Sequence, residues 1–471
     1  MPNSLSSITT ISSASIESRP SPPAKSGASS SMSSGVMSSN FRRSMSIVFS
    51  LCLKSVMGKM VFRMLDRFLT LLERDPRAVA VIEEGRVWTR AELWERAREI
   101  EGALESPHHT IQLPNSAEFV ATFLAALKRD LVVIPIDRDA APAEVAMIRD
   151  TFTPPLPAGT RIIKVTSGST GKPKGIFTSE ANLIADCENI CSTMNLAPDD
   201  INLGAIPFSH SYGFCNLVMP LLVQGTAIVA TNAYLPQTLI ELANEHRCTV
   251  APLIPMVFDH LASAAHGNFE TVRTFISAGA PLPASTSRRF RERFGIGIHS
   301  FYGCSETGGI TYDRIGGAAE RGTVGTAMNG VQLAIENSRL TVRSNAVAGS
   351  ETFVTDDLVA MREDGELVLT GRASDLINTA GKKVNPREVE AVILQLDGVR
   401  EAKVYGEAAG ARGEVVAAAI VATPDVTREH VRSHCRARLS PHKVPRIVKL
   451  IDAMPVDERG KIKRSALSAA R

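Results

Sequence analysis

The chain has 471 residues, 44 % of them hydrophobic, with 52 Lys and Arg against 49 Asp and Glu, a formal charge of +3. A chain of this length corresponds to roughly two to four domains and buries a full core without disulfides or a structural metal. The near balance of charge and an aromatic content of 5 % argue against a dedicated nucleic-acid binder, which carries a strong basic excess or stacking aromatics.

The surplus charge sits at the N-terminus. Residues 1–56 hold Arg19, Lys25, Arg42, Arg43 and Lys54 against one acid, Glu17, which leaves 47 basic and 48 acidic residues in the rest. Twenty of these 56 residues are Ser. Such a stretch cannot bury enough surface to offset its ordering entropy and is expected to be disordered. Three readings stay open: an upstream extension with translation starting near Met57 or Met60, a Ser-rich and acid-poor transit peptide, or a native flexible tail. A secretory signal fits poorly, because the apolar run Ile47–Leu53 is short, late and interrupted by Ser50. No window approaches the ~18 apolar residues of a membrane span.

From Met60 helical and strand patterns alternate. Thr89-Arg90-Ala91-Glu92 is a capping box, and the helix after it carries Leu93, Ala97, Ile100 and Leu104 on one face. Asn115 or Ser116 can cap the next helix, with Phe119, Phe123, Leu124 and Leu127. Strands are expected at Leu131–Ile136, Arg161–Val165, Ile201–Ile206, Ala227–Ala230 and Thr249–Ile254, with a helix over Gln237–Glu245. After about residue 321 the pattern turns to short strands, Val331–Ile335, Leu340–Val342 and Leu367–Leu369. Beyond Ser374 come a helix after Pro386, strands Ala402–Tyr405 and Val415–Val421, and a helix from about Thr427 to Leu439. The alternation implies an α/β fold: a large N-terminal domain of mainly parallel sheets flanked by helices, a small β-rich subdomain, and a small α+β C-terminal domain. The expected division is an extension over 1–56, an N-terminal domain over 57–373 and a C-terminal domain over 374–471.

The seven cysteines are Cys52, Cys187, Cys191, Cys215, Cys248, Cys304 and Cys435. An odd, scattered set is no disulfide framework, and its ordinary setting is a reducing cytoplasm. Cys187 and Cys191 share one helix face, but no second Cys/His pair stands at zinc-ligand spacing, so small buried side chains are expected.

The chemical signal is Val165-Thr-Ser-Gly-Ser-Thr-Gly-Lys-Pro-Lys-Gly175. Gly168, Gly171 and Gly175 permit positive φ and close backbone approach. Consecutive amides and the Ser and Thr hydroxyls suit a polyphosphate, with charge from Lys172 and Lys174. A flexible Gly/Ser loop has the same composition. A Walker A loop is disfavoured, because Pro173 follows the Lys where Ser or Thr is required.

Thr166–Gly175 resembles the phosphate loop of the adenylate-forming superfamily, the AMP-dependent synthetases and ligases of acyl-CoA synthetase type. Further segments resemble that family in its order: Pro207-Phe-Ser-His-Ser-Tyr-Gly213, Ser277-Ala-Gly-Ala-Pro281, Phe301-Tyr-Gly-Cys-Ser-Glu-Thr-Gly308, Thr355-Asp-Asp-Leu358 with Gly371-Arg372, Gly381-Lys-Lys-Val-Asn-Pro-Arg-Glu388 and Gly460-Lys461-Ile462. The resemblance covers about residues 60–471. It implies two half-reactions. A carboxylate attacks the α-phosphate of ATP and expels pyrophosphate; a thiol then takes the acyl group from the adenylate and AMP leaves. It also implies a mobile C-terminal domain that serves both steps.

The resemblance implies roles residue by residue. Thr166, Ser167, Gly168, Ser169, Thr170, Gly171 and Lys174 would cradle the phosphates. Gly279 and Ala280 would lie beside the adenine and Tyr302 would stack on it. Ser305 would bond the α-phosphate; Asp357 and Arg372 would hold the ribose. Glu306, with Thr170, would ligate Mg²⁺, a hard cation that takes oxygen ligands. His210 would gate the acyl site, with a satisfied core histidine as the alternative. Lys461 would stabilise charge developing between carboxylate and α-phosphate, with Lys463 as its rival.

Three departures stand out. Ser374 occupies the hinge position where the family usually has Asp or Lys. Asp356 replaces a Gly in the ribose motif. Only about 24 residues separate Asp137 from the strand before the phosphate loop, where relatives usually insert more sheet. Phe208-Ser209-His210 lacks the Asp that pairs a substrate ammonium in amino-acid-activating members, so an amine-free fatty or aryl acid is expected. The expected thiol is coenzyme A, with a carrier-protein phosphopantetheine as runner-up; a non-catalytic nucleotide or acyl-adenylate binder is the contrasting function. ATP, Mg²⁺ and coenzyme A are the implied ligands, with no nucleic acid as a partner and no membrane span.

Overall fold

A computed structural model of the protein describes residues 63–471, except 168–172, 264–265, 380–381, 409–413, 456–466 and 468–471. The expected extension over 1–56 lies outside the described residues.

Thr89 accepts a hydrogen bond from the Glu92 amide, and the Glu92 carboxylate accepts from the Thr89 amide, so the helix Arg90–Ile100 starts where its capping box predicts. The next helix, Ala117–Lys128, is capped by Ser116, whose Oγ accepts from the Phe119 amide at 3.2 Å. Asn115 does a different job. Its Oδ1 accepts from the Phe208 amide at 2.8 Å, and its Nδ2 lies 3.0, 2.9 and 3.1 Å from the carbonyls of Gly204, Ile206 and Thr231. It therefore ties together the carbonyls at and just past the ends of two adjacent parallel strands, Ile201–Gly204 and Ala227–Ala230.

The large sheet has nine strands in the order Thr326–Ala327, Gly308–Tyr312, Ile298–Cys304, Thr274–Ser277, Val250–Leu253, Ile201–Gly204, Ala227–Ala230, Val79–Glu83 and Arg86–Thr89. The six from Ile298–Cys304 to Val79–Glu83 run parallel, and the outer strands at each end pair antiparallel. Alternate residues feed two cores. Val81, Ile228, Val250 and Ile276 enter one; Ile82, Val229, Ala251 and Phe275 enter the other. Both faces are covered, which is why these strands read as apolar runs rather than alternations. The second core is knitted by Phe258, Phe269, Phe275, Phe290 and Phe294, with ring centroids 4.7 to 6.3 Å apart.

A second sheet joins His108–Ile111, Val132–Pro135 and Thr160–Ser167 in parallel and closes with antiparallel Pro173–Ser179. That last strand is absent from the sequence-based expectation, because Gly171–Gly175 has loop composition. Gly175 itself is required by packing rather than by φ: a Cβ there would come within 2.5 Å of the Phe152 ring and 2.9 Å of Ile163. The β-rich part is a four-stranded antiparallel sheet, Gln332–Glu336, Arg339–Arg343, Thr352–Met361 and Leu367–Arg372.

The C-terminal region has its own core. Val384, Val389, Ile393, Val404, Val416, Ile420, Val431 and Val448 pack together across two helices and the strands Val399–Ala408, Glu414–Ala422 and Ile447–Leu450. It meets the preceding strand through Asn385, whose Nδ2 donates to the Thr370 carbonyl at 2.7 Å, and Arg387, whose Nη1 donates to Leu369 at 3.1 Å. Cys187 and Cys191 are buried with their sulfurs 3.8 Å apart. Among the described residues no helix is long and apolar enough to cross a membrane.

Asn115→Ala should lower the unfolding free energy by roughly 2–4 kcal/mol, because it deletes several bonds and strands buried carbonyls. Urea denaturation measures this; a loss below about 0.5 kcal/mol would show that Asn115 does not hold the strand ends.

Candidate active site

Strands Thr274–Ser277 and Ile298–Cys304 run side by side, with Ser277 opposite Ser300. Just past the carboxyl end of the first lie Gly279 and Ala280, both exposed. Gly279 has φ +87°, a left-handed turn that suits glycine. The second carries Tyr302 and leads into the bend Cys304–Gly308 with Ser305 and Glu306. Crevices at the carboxyl ends of parallel strands are where α/β sheets bind ligands.

Tyr302 donates its hydroxyl to Asp357 Oδ2 at 2.7 Å, and Arg372 Nε donates to Asp357 Oδ1 at 3.0 Å. Asp357 and Arg372 are register partners on neighbouring antiparallel strands, so sheet geometry aims both at one spot. Burial, reinforced by the Asp357 charge, pushes the Tyr302 phenol well above the ordinary tyrosine range. It therefore stays a donor at any physiological pH.

On the hairpin expected to cradle phosphates, Thr166 stands opposite Lys174, and its Oγ1 donates to the Lys174 carbonyl at 3.3 Å. Lys174 Nζ lies 3.0 Å from Glu306 Oε1. Ser305 Oγ pairs with Ser211 Oγ at 3.1 Å. The structure thus brings Thr166, Lys174 and Glu306 together by contact, and Ser305 sits next to Glu306 on the bend. Gly168, Ser169, Thr170, Gly171 and Lys461, with its rival Lys463, lie outside the described residues, as does the Ser167 side chain.

His210 is half-buried, with Nε2 3.5 Å from Asp137 Oδ2. This is not the surroundings of a core histidine. Asp137 follows the strand Val132–Pro135 and, like Lys164 and Asp186, belongs to no motif; Ser211 lies within the Pro207–Gly213 motif, which assigns it no role. For Lys164 a signal existed: a lone charge inside the apolar strand Ile162-Ile163-Lys164-Val165, where charged residues are seldom buried without purpose.

Two departures from the family pattern meet in space. Asp356 Oδ2 accepts from the Ser374 hydroxyl and from its amide. The acid that replaces a glycine thus pairs with the small residue at the expected hinge.

These features agree with comparison to known proteins. The AMP-binding enzyme family matches residues 69–156 and 149–353, over half the chain, and the AMP-binding enzyme C-terminal domain matches 388–461. The chain therefore belongs to the AMP-binding enzyme family, the adenylate-forming enzymes of acyl-CoA synthetase type, and is an AMP-forming acid–thiol ligase. It is 27 % identical over 372 residues to a sulfoacetate–CoA ligase of Cupriavidus necator, covering 72 % of this chain and 70 % of that protein. It is 29 % identical over 390 residues to a feruloyl-CoA synthase of Amycolatopsis sp, covering 75 % and 77 %. ATP-bound MatB from Rhodopseudomonas palustris shares the fold, with a TM-score of 0.74 at 23 % identity over 86 % of this chain and 98 % of that one.

Burial pushes the Cys304 thiol up to about 11, so its thiolate forms only as pH approaches that value. At pH 8 iodoacetamide should modify Cys304 in the folded protein on the order of 100-fold more slowly than in urea. Peptide mass spectrometry reads the rates; equal rates would refute the burial argument.

Proposed function

We propose that this ligase activates an amine-free fatty or aryl carboxylic acid with ATP and passes the acyl group to coenzyme A. The observation that carries it is the Tyr302–Asp357–Arg372 group, with the Lys174–Glu306 pair and Ser305 reached along the same chain segment. Tyr302 offers a flat face to the adenine, and Asp357 offers a carboxylate to the ribose hydroxyls beside the Arg372 donors. Ser305 donates to the α-phosphate. Thr166, Lys174 and the loop Ser167–Gly171 take the other phosphates, through backbone amides as well as side chains.

Glu306 and Lys174 neutralise one another while no nucleotide is bound, and each exchanges its partner for ligand when ATP arrives. Magnesium suits Glu306, together with Thr170, because Mg²⁺ needs only one or two protein oxygens when phosphate and water complete its shell. Among the described residues no cluster of three or more His, Cys, Asp or Glu forms a protein-only cage, which fits that partial role. When bound, the ion offsets phosphate charge as pyrophosphate leaves.

The acid's carboxylate oxygen attacks the α-phosphorus and the bond to pyrophosphate breaks. Lys461 stabilises the charge that grows between the two. The thiol sulfur then attacks the acyl carbon, its proton leaves, and AMP departs. A boundary at Ser374, with the C-terminal domain moving between steps, lets one enclosed site serve both and keeps water from the anhydride. His210 closes the acyl side. Both relatives described above are named for coenzyme A, which supports it as the acceptor, while another similar protein, of Bacillus anthracis, is named as an aryl-carrier protein ligase and keeps the carrier protein as the alternative. Because Asp137 faces His210, an ammonium group would have to compete with that contact.

The test is pyrophosphate release across fatty, aryl and α-amino acids, with coenzyme A or a carrier protein as acceptor. Release with amine-free acids and acyl transfer to coenzyme A are expected. Release with amino acids alone would overturn the substrate class. Absence of release with any acid, from folded protein that binds ATP, would favour a non-catalytic binder.

Lys461→Ala should abolish adenylate formation but leave thiolation of a supplied acyl adenylate within about threefold of wild type, since only the first step builds charge at the α-phosphate. Equal losses in both partial reactions, followed by rapid quench, would contradict the role.

A further inference from the structure

Two buried charges that the proposed chemistry does not use lie beneath the bend that carries Ser305 and Glu306. Lys164 is 7 % exposed, and its Nζ donates to the Ser305 carbonyl at 3.4 Å. Asp186, on the helix Glu180–Met194, is 1 % exposed. Its Oδ1 accepts from the Gly309 amide at 2.9 Å, and the Cys215 thiol is a further hydrogen-bonding neighbour of the carboxylate. A Cβ at Gly308 would come within 2.2 Å of Asp186 Oδ1, so the bend closes down directly on the carboxylate. The Cys215 thiol feels both charges and is kept neutral by burial.

The arrangement is polar in the right sense. A cation holds a carbonyl at the start of the bend and an anion holds an amide at its end. Stability alone is a poor reason for it, since separated buried charges cost more than an apolar pair of similar volume. Lys164 also sits on the strand that runs into the phosphate loop at Gly168, so one strand supports both halves of the phosphate side.

We infer that Lys164 and Asp186 are positioning residues that clamp the Cys304–Gly309 bend from below and thereby aim Glu306 and Ser305 at metal-bound nucleotide. The inference rests on the proposed role of that bend. A misplacement of about 1 Å at such a site costs on the order of 100-fold in rate.

The experiment is calorimetric ATP binding to the full chain over a range of Mg²⁺ concentrations, for wild type, Lys164→Met, Asp186→Ala and Asp186→Asn. Lys164→Met and Asp186→Ala should each raise the Mg²⁺ concentration needed for half-maximal ATP affinity about 10- to 100-fold. Asp186→Asn, which keeps an acceptor for the Gly309 amide, should recover to within about threefold of wild type. Thiolation of a supplied acyl adenylate, which needs no metal, should change less than about threefold. An unchanged Mg²⁺ requirement, or equal loss in thiolation, would overturn the clamp. Urea midpoints identify a variant that fails to fold; the other variant then decides. Because ATP binding needs no acid, wild-type protein inactive in the acid panel would count against the proposed function and leave the clamp to be judged by binding alone.

Discussion

Asp357 accepts one hydrogen bond from each of two sheets. Tyr302 reaches it from the nine-stranded sheet, and Arg372 from the neighbouring strand of the four-stranded one. A carboxylate that is 7 % exposed needs such donors, because an unpaired buried charge costs several kcal/mol. The seam between the sheets is held where both donors reach it together. The strand through Tyr302 continues to Ser305 and Glu306, and the strand through Arg372 continues to Ser374 and the C-terminal core. Each later part of the site inherits its place from that seam.

The remaining charge pairs behave differently. Lys174 is 60 % exposed in its pair with Glu306, and exposed pairs contribute only about 0–1 kcal/mol. Such a contact keeps the two side chains near one another yet costs little to break. Tyr302–Asp357–Arg372 is a hydrogen-bonded group around a buried carboxylate, whereas Lys174–Glu306 is an ion pair with an exposed lysine. His210 and Asp137 stand between these extremes, half-buried and 3.5 Å apart.

What the sequence made legible followed from short-range chemistry. The Thr89 capping box, the apolar parallel strands and the ordered motifs all depend on residues near one another in the chain. The strand Thr352–Met361 is not legible in the sequence because Asp356 and Asp357 break its apolar pattern, and those same residues make its contacts with Ser374, Tyr302 and Arg372. The strand Pro173–Ser179 was hidden by the glycines, lysines and proline of the loop it closes. Asn115 and Ser116 were equal cap candidates by type; only the strand ends brought near by folding recruit Asn115 elsewhere. Asp137 and Asp186 belong to no motif. Their partners lie far along the chain, at His210 and Gly309, and no periodicity announces such a meeting.

Asp356 and Ser374 looked like two separate departures, one in a ribose motif and one at a hinge. Since the first accepts from the second through both hydroxyl and amide, they are physically a single alteration written at two addresses. Both residues lie at the surface, so changing either one alone hands the partner's hydrogen bonds to water and releases Ser374 from the strand that carries Asp356. In this chain Ser374 is therefore tied to the four-stranded sheet by a side chain that a glycine at position 356 could not supply.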